Sequence, residues 1–131
     1  MKKYTSVLLI DDNSMDLMIG KAVIEFSQIT KNIMTARNGM DALNQLTKYY
    51  LKHKTLPELL LVDLIMPMMD GFKFIDEVYR FPFYFRSNTK IIVLTACPEN
   101  EEDIKKLNDL GIKDVLLKPL DKEDLIKAIA T

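Results

Sequence analysis

The sequence predicts a doubly wound α/β fold, an open parallel sheet of five strands with helices on both faces. Three observations carry that expectation. Five short apolar runs recur along the chain, most of them continuous rather than alternating, which suits strands covered on both sides. Segments of helical period separate these runs, and strand–helix alternation in one short chain implies right-handed crossovers. The 131 residues, 48% apolar and 28% charged, fit one ordered domain with a full core. Residues 1–131 therefore read as a single unit, with no linker, repeat or low-complexity tract.

The elements follow in order. Strand one is residues 7–10, running straight into the acidic pair Asp11-Asp12. Ser14 is a candidate cap for a first helix over 14–27, with Leu17, Met18, Val23, Ile24 and Phe26 broadly on one side. Strand two is 33–36, and the turn signal Asn38-Gly39 leads to helix two over 40–52, where Ala42, Leu43 and Leu46 repeat at helical spacing. Strand three, 59–62, ends in Asp63. Helix three, 72–80, aligns Phe72, Ile75, Val78 and Tyr79. The Pro-broken aromatic stretch 81–88, FPFYFRSN, reads as a loop before strand four at 91–94. Helix four, 100–110, carries Ile104, Leu107 and Leu110 and stops at Gly111. Strand five, 115–117, runs into Lys118-Pro119. Asp121 caps a last helix over 122–130, striped by Leu125, Ile126 and Ile129.

Charge and cysteine usage narrow the function classes. Lys plus Arg number 18 and Asp plus Glu 19, a balance unlike that of a general nucleic-acid or anionic-membrane binder. The one cysteine, Cys97, excludes an internal disulfide and is compatible with a reducing compartment. The opening MKKYTSVLLIDD has only four consecutive apolar residues, too few for a signal peptide. No run approaches transmembrane length. The expectation is a cytoplasmic protein with no membrane insertion.

In an open α/β sheet, ligands sit at the carboxyl ends of the strands. Those ends are Asp11-Asp12, Asp63, Thr95 and Lys118-Pro119. In the flavodoxin-like strand order 2-1-3-4-5, strands one and three are neighbours, so three carboxylates converge beside a hydroxyl and an ammonium. Like charges repel, and three of them together make a poor structural choice unless a cation sits among them. Hard oxygen ligands in this number suit Mg²⁺, which keeps some waters and leaves room for a phosphoryl oxygen. One carboxylate can then act as a nucleophile and form an aspartyl phosphate, a reaction that mainly needs positioning and charge neutralisation.

Over essentially its whole length, the chain resembles the receiver domain of two-component response regulators. The residues that carry the resemblance are Asp11-Asp12, the run LLLVDLIMPMMDG around Asp63, Leu94-Thr95-Ala96 and Lys118-Pro119. The resemblance implies that Asp63 accepts a phosphoryl group from a histidine kinase or phosphotransfer protein. It implies that Asp11, Asp12, Asp63 and the backbone carbonyl of Ile65 hold Mg²⁺, that Lys118 contacts the phosphoryl group, and that Thr95 swings to bond a phosphoryl oxygen. It also implies a cis Lys118–Pro119 bond. Ile65 and Cys97 occupy positions that tune hydrolysis in receivers; neither positions water well, so slow phosphate loss is expected. Val115 stands where many receivers carry an aromatic residue, so the output signal is expected to use other packing. The chain ends directly after helix five, and the expectation is a stand-alone signalling module, not a conventional enzyme. It would act on an unidentified protein target or in a relay, as a monomer or a phosphorylation-dependent dimer.

Several features have plainer readings. Asp70-Gly71 reads as a turn and helix start, Met66, Met68 and Met69 as loop packing around Pro67, and His53 as a solvated loop residue. Cys97 reads as a small loop residue. Among rival functions, an aspartyl-nucleophile phosphohydrolase would want a second acid where Ile65 stands. A flavin carrier would want a phosphate-cradling loop where DDNSMD places negative charge. A phosphorylation-independent interaction domain would predict a damaged acidic site.

Overall fold

The computed structural model describes residues 3–82, 84 and 88–130. Its elements alternate without exception among those residues: β1 (Val7–Ile10), α1 (Ser14–Ser27), β2 (Ile33–Ala36), α2 (Gly39–His53), β3 (Leu59–Asp63), α3 (Gly71–Tyr79), β4 (Lys90–Thr95), α4 (Glu101–Asp109), β5 (Asp114–Leu117) and α5 (Lys122–Ile129). The strands form one parallel sheet in the order β2-β1-β3-β4-β5. The expected loop over 81–88 lies partly outside the described residues.

Alternation along the central strands divides the core into two layers. Leu8, Ile10, Leu60, Val62, Ile91 and Val93 face α2 and α3 and pack with Leu46, Phe74 and Val78. Val7, Leu9, Leu59, Leu61, Ile92 and Leu94 face α1 and α5 and pack with Ile24, Leu125 and Ile129. The apolar residues of β1, β3 and β4 thus run on without alternation because both of their faces are covered. The edge strands differ. Most of β2 and β5 is only half-buried, and Leu117 is exposed, because each edge strand has one neighbour and thinner cover.

Each helix has an Asn or Asp N-cap whose side chain accepts an N–H three residues on: Asn13, Asn38, Asp70, Asn100 and Asp121. This corrects the reading of Ser14, which is the first helical residue; Asn13 caps α1, accepting from the Asp16 N–H at 2.9 Å. Another correction concerns the inner face of α1. Gly20, Ile24 and Ser27 are buried there, with Leu17 and Val23 packed beside them as expected, whereas Met18 and Phe26 are exposed. The inner face follows the 3.6-residue period, and Met18 and Phe26 fall off it. His53 ends α2 instead of lying in a loop, with its ring 4.2 Å from that of Tyr49. After α4, Gly111 takes a φ of +80°, which ends the helix where glycine was expected to.

Candidate functional site

Register places the site. Ile10 pairs with Val62, so the next residues of these parallel strands, Asp11 and Asp63, leave the sheet side by side. Asp63 pairs with Leu94 and Thr95 with Leu117, which brings Thr95 and Lys118 to the same rim. The Lys118 N–H bonds the Thr95 carbonyl at 2.9 Å, and the Lys118–Pro119 peptide is cis. All five sequence-predicted side chains, Asp11, Asp12, Asp63, Thr95 and Lys118, therefore meet at the carboxyl end of the sheet.

Carboxylate oxygens of Asp11, Asp12 and Asp63 lie within 4.8 Å of one another. Asp11 and Asp63 are almost fully buried, at 1% and 3% exposure. Burial, followed by the negative charge of Asp11, pushes the Asp63 carboxyl up to about 7, against the pull of the Lys118 ammonium. Lys118 Nζ reaches Asp11 at 3.1 Å, Asp63 at 3.4 Å and Asp16 at 2.9 Å. Burial opposes its charge, but hydrogen bonds to Asp16 and Asp11 and the charges of Asp11 and Asp63 outweigh it. The ammonium is held above its ordinary range. One cation thus serves several anions, and a set of hard oxygen donors short of positive charge fits a divalent ion such as Mg²⁺.

Loop backbone fixes the rest. The Asn13 N–H bonds Asp11 Oδ1 at 2.9 Å, and the Ile65 N–H approaches Asp63 Oδ1 at 3.4 Å. Buried Thr95 accepts the Cys97 N–H at Oγ1, 3.2 Å away. These groups border a cleft of ≈ 260 Å³ whose lining includes Asp63, Thr95, Lys118, Ile65 and Asp16. A larger cleft of ≈ 540 Å³, bordered by Lys3, Glu25 and Lys31, lies elsewhere and gathers no comparable set of charges. At the smaller cleft, by contrast, several acids and an ammonium converge.

The profile of the response regulator receiver domain matches residues 7–130. The chain belongs to the response-regulator receiver family. It is 32% identical over 95 residues to the Regulator of RpoS of Escherichia coli (strain K12), covering 72% of this chain and 25% of that protein. It is 26% identical to the chemotaxis protein CheY of Treponema pallidum (strain Nichols), covering 95% of this chain and 80% of that one. The solved bacteriophytochrome response regulator AtBRR superposes with a TM-score of 0.80 at 26% identity, covering 98% of this chain and 91% of that one. Receivers of this family are signalling domains phosphorylated by histidine kinases or phosphotransfer proteins. Among the described residues, no helix is long and apolar enough to cross a membrane.

Two residues of the site escape a reading of the sequence. Gly71, there only a helix start, donates its N–H to the Leu64 carbonyl at 2.8 Å. A Cβ there would meet the Asp63 carbonyl oxygen and Leu64 Cα, each at 2.8 Å, so glycine lets α3 begin against the loop that carries Asp63. Asp16 is the other. It stands four residues after Asp12, on the first turn of α1, with its carboxylate on Lys118.

Proposed function

We propose that the domain, residues 1–131, accepts a phosphoryl group on Asp63 in a Mg²⁺-dependent reaction. The observation that carries this reading is the gathering of Asp11, Asp12 and Asp63 beside the Lys118 ammonium at the rim of the sheet. Asp11, Asp12, Asp63 and the Ile65 backbone carbonyl would hold Mg²⁺, which supplies positive charge against the repulsion of carboxylate and phosphate. An Asp63 oxygen forms the new bond to phosphorus. The bond from phosphorus to the donor breaks, and its electron pair leaves with the donor, the imidazole of a histidine kinase or phosphotransfer protein. Lys118, held protonated, and the Thr95 hydroxyl would receive the phosphoryl oxygens.

Signalling would then proceed by contact with a target protein or by relay of the phosphoryl group, in the cytoplasm, from a monomer or a phosphorylation-dependent dimer. Ile65, exposed at the cleft and unable to orient water, supports slow hydrolysis, so the phosphoryl group should persist for minutes. The test is intact mass after incubation with acetyl phosphate or a phosphorylated kinase. The expected result is a gain of one phosphoryl group that requires Mg²⁺ and is lost in Asp63→Asn. An equal gain in Asp63→Asn, or no gain from either donor, would overturn the reading.

A further inference from the structure

Lys118 has three N–H donors, and three carboxylates stand around them. Asp11 and Asp63 belong to the trio gathered for a cation; Asp16 does not, yet its contact, at 2.9 Å, is the shortest of the three. A cation bound by Asp11 and Asp63 would draw on their charge and weaken their hold on the ammonium. Asp16 would keep its full charge. Its backbone is fixed by the Asn13 cap, and it lines the same cleft as Asp63, Thr95 and Lys118. A phosphoryl group on Asp63 would therefore meet a cleft in which an anion already holds its cationic partner.

We propose that Asp16 is a positioning residue, a resident counter-anion that holds Lys118 in the unphosphorylated site and releases it when a phosphoryl group arrives on Asp63. This rests on the proposed role of Asp63 as phosphoacceptor. Asp16 competes with the phosphoryl oxygens for one ammonium, so it weakens the site's grip on the phosphoryl group and favours the unphosphorylated state. No bond to Asp16 forms or breaks; the ammonium changes partner.

The probe is fluoroberyllate, a mimic of the aspartyl phosphate, titrated calorimetrically with Mg²⁺ into the wild type and variants. Asp16→Asn, which keeps the side-chain shape, should bind it about fivefold more tightly, the scale of one coupling between charges in contact. Asp16→Glu should stay near wild type. In a Lys118→Met background, Asp16→Asn should change little. Equal tightening in that background would overturn the proposal, because Asp16 would then act by repulsion through space and not through Lys118. No tightening in Asp16→Asn would overturn it too. Nitrogen NMR of the Lys118 ammonium adds a readout that a structural role would leave still: the ligand-free signal should move on Asp16→Asn, and an unmoved signal would refute the contact. Wild-type protein that fails to bind the probe through Asp63 would instead remove the phosphoacceptor role, and this inference with it.

Discussion

Polar groups are buried at both ends of β1, and the two ends handle them in opposite ways. At the amino end, Ser6 is 1% exposed. Its Oγ accepts the Tyr49 hydroxyl at 2.9 Å and the Asn32 side-chain amide at 2.8 Å. Every group is neutral, and donors meet an acceptor. At the carboxyl end, Asp11 is equally buried beside Asp63, and one ammonium faces three carboxylates. A matched neutral network adds stability. A cluster with excess negative charge costs stability until something positive arrives. Only the second arrangement leaves binding energy for an ion, and in this fold it stands where ligands bind.

The largest expected effect comes from removing the one ammonium. Lys118→Met leaves Asp11, Asp16 and Asp63 without their shared partner, and in metal-free buffer should destabilise the fold by about 3 kcal/mol, read by urea denaturation. Saturating Mg²⁺ should recover part of that loss, because it brings positive charge to the carboxylates nearby. No recovery would imply that the cluster does not take the ion. At the other end, Ser6→Ala strips two donors of their acceptor and should cost about 2 kcal/mol. Mg²⁺ should not repair that loss, and acceptance of a phosphoryl group should be unchanged.

The smallest effect sharpens the contrast from a third place. Tyr79 donates its hydroxyl to the Leu110 carbonyl at 2.7 Å, tying α3 to the end of α4. Burial first, and then Tyr84, push its phenol up to about 12 from an ordinary value of 10.0. The folded protein therefore keeps a proton that the unfolded chain gives up. This contribution is fully present below about pH 10 and is lost as pH rises through 12. Absorbance titration should show a tyrosine ionising late in the wild type, and Tyr79→Phe should remove it. Like the Ser6 network, this bond should be indifferent to Mg²⁺.

How far the sequence foretells this molecule follows from the same physics. Continuous apolar runs mark β1, β3 and β4 because central strands are covered on both faces. Asp11, Asp12, Asp63, Thr95 and Lys118 can be placed together because parallel strands in a known order leave the sheet on one side. The outward placement of Met18 and Phe26 is legible after all: at about 100° per residue both fall well off the face of Gly20, Ile24 and Ser27, and only a looser grouping of apolar residues sets them on it. What stays hidden depends on distances that spacing does not encode. The role of Gly71 lies in its approach to the Asp63 backbone, which no local pattern announces. Asp16 carries a fainter signal: it is an acid in the first turn of the helix that follows Asp11-Asp12, although its partner Lys118 lies far along the chain, at the end of β5.

The most direct test sets the two ends against each other in one experiment. Melting temperatures of Asp63→Asn and Ser6→Ala would be measured beside the wild type in metal-free buffer at about pH 8, above the raised Asp63 value. If the carboxyl end carries unrelieved negative charge, Asp63→Asn should melt several degrees above the wild type and Ser6→Ala several degrees below it. If Asp63→Asn instead melts below the wild type by as much as Ser6→Ala does, the acidic end is a structural network like the other, and the contrast between the two ends of β1 fails.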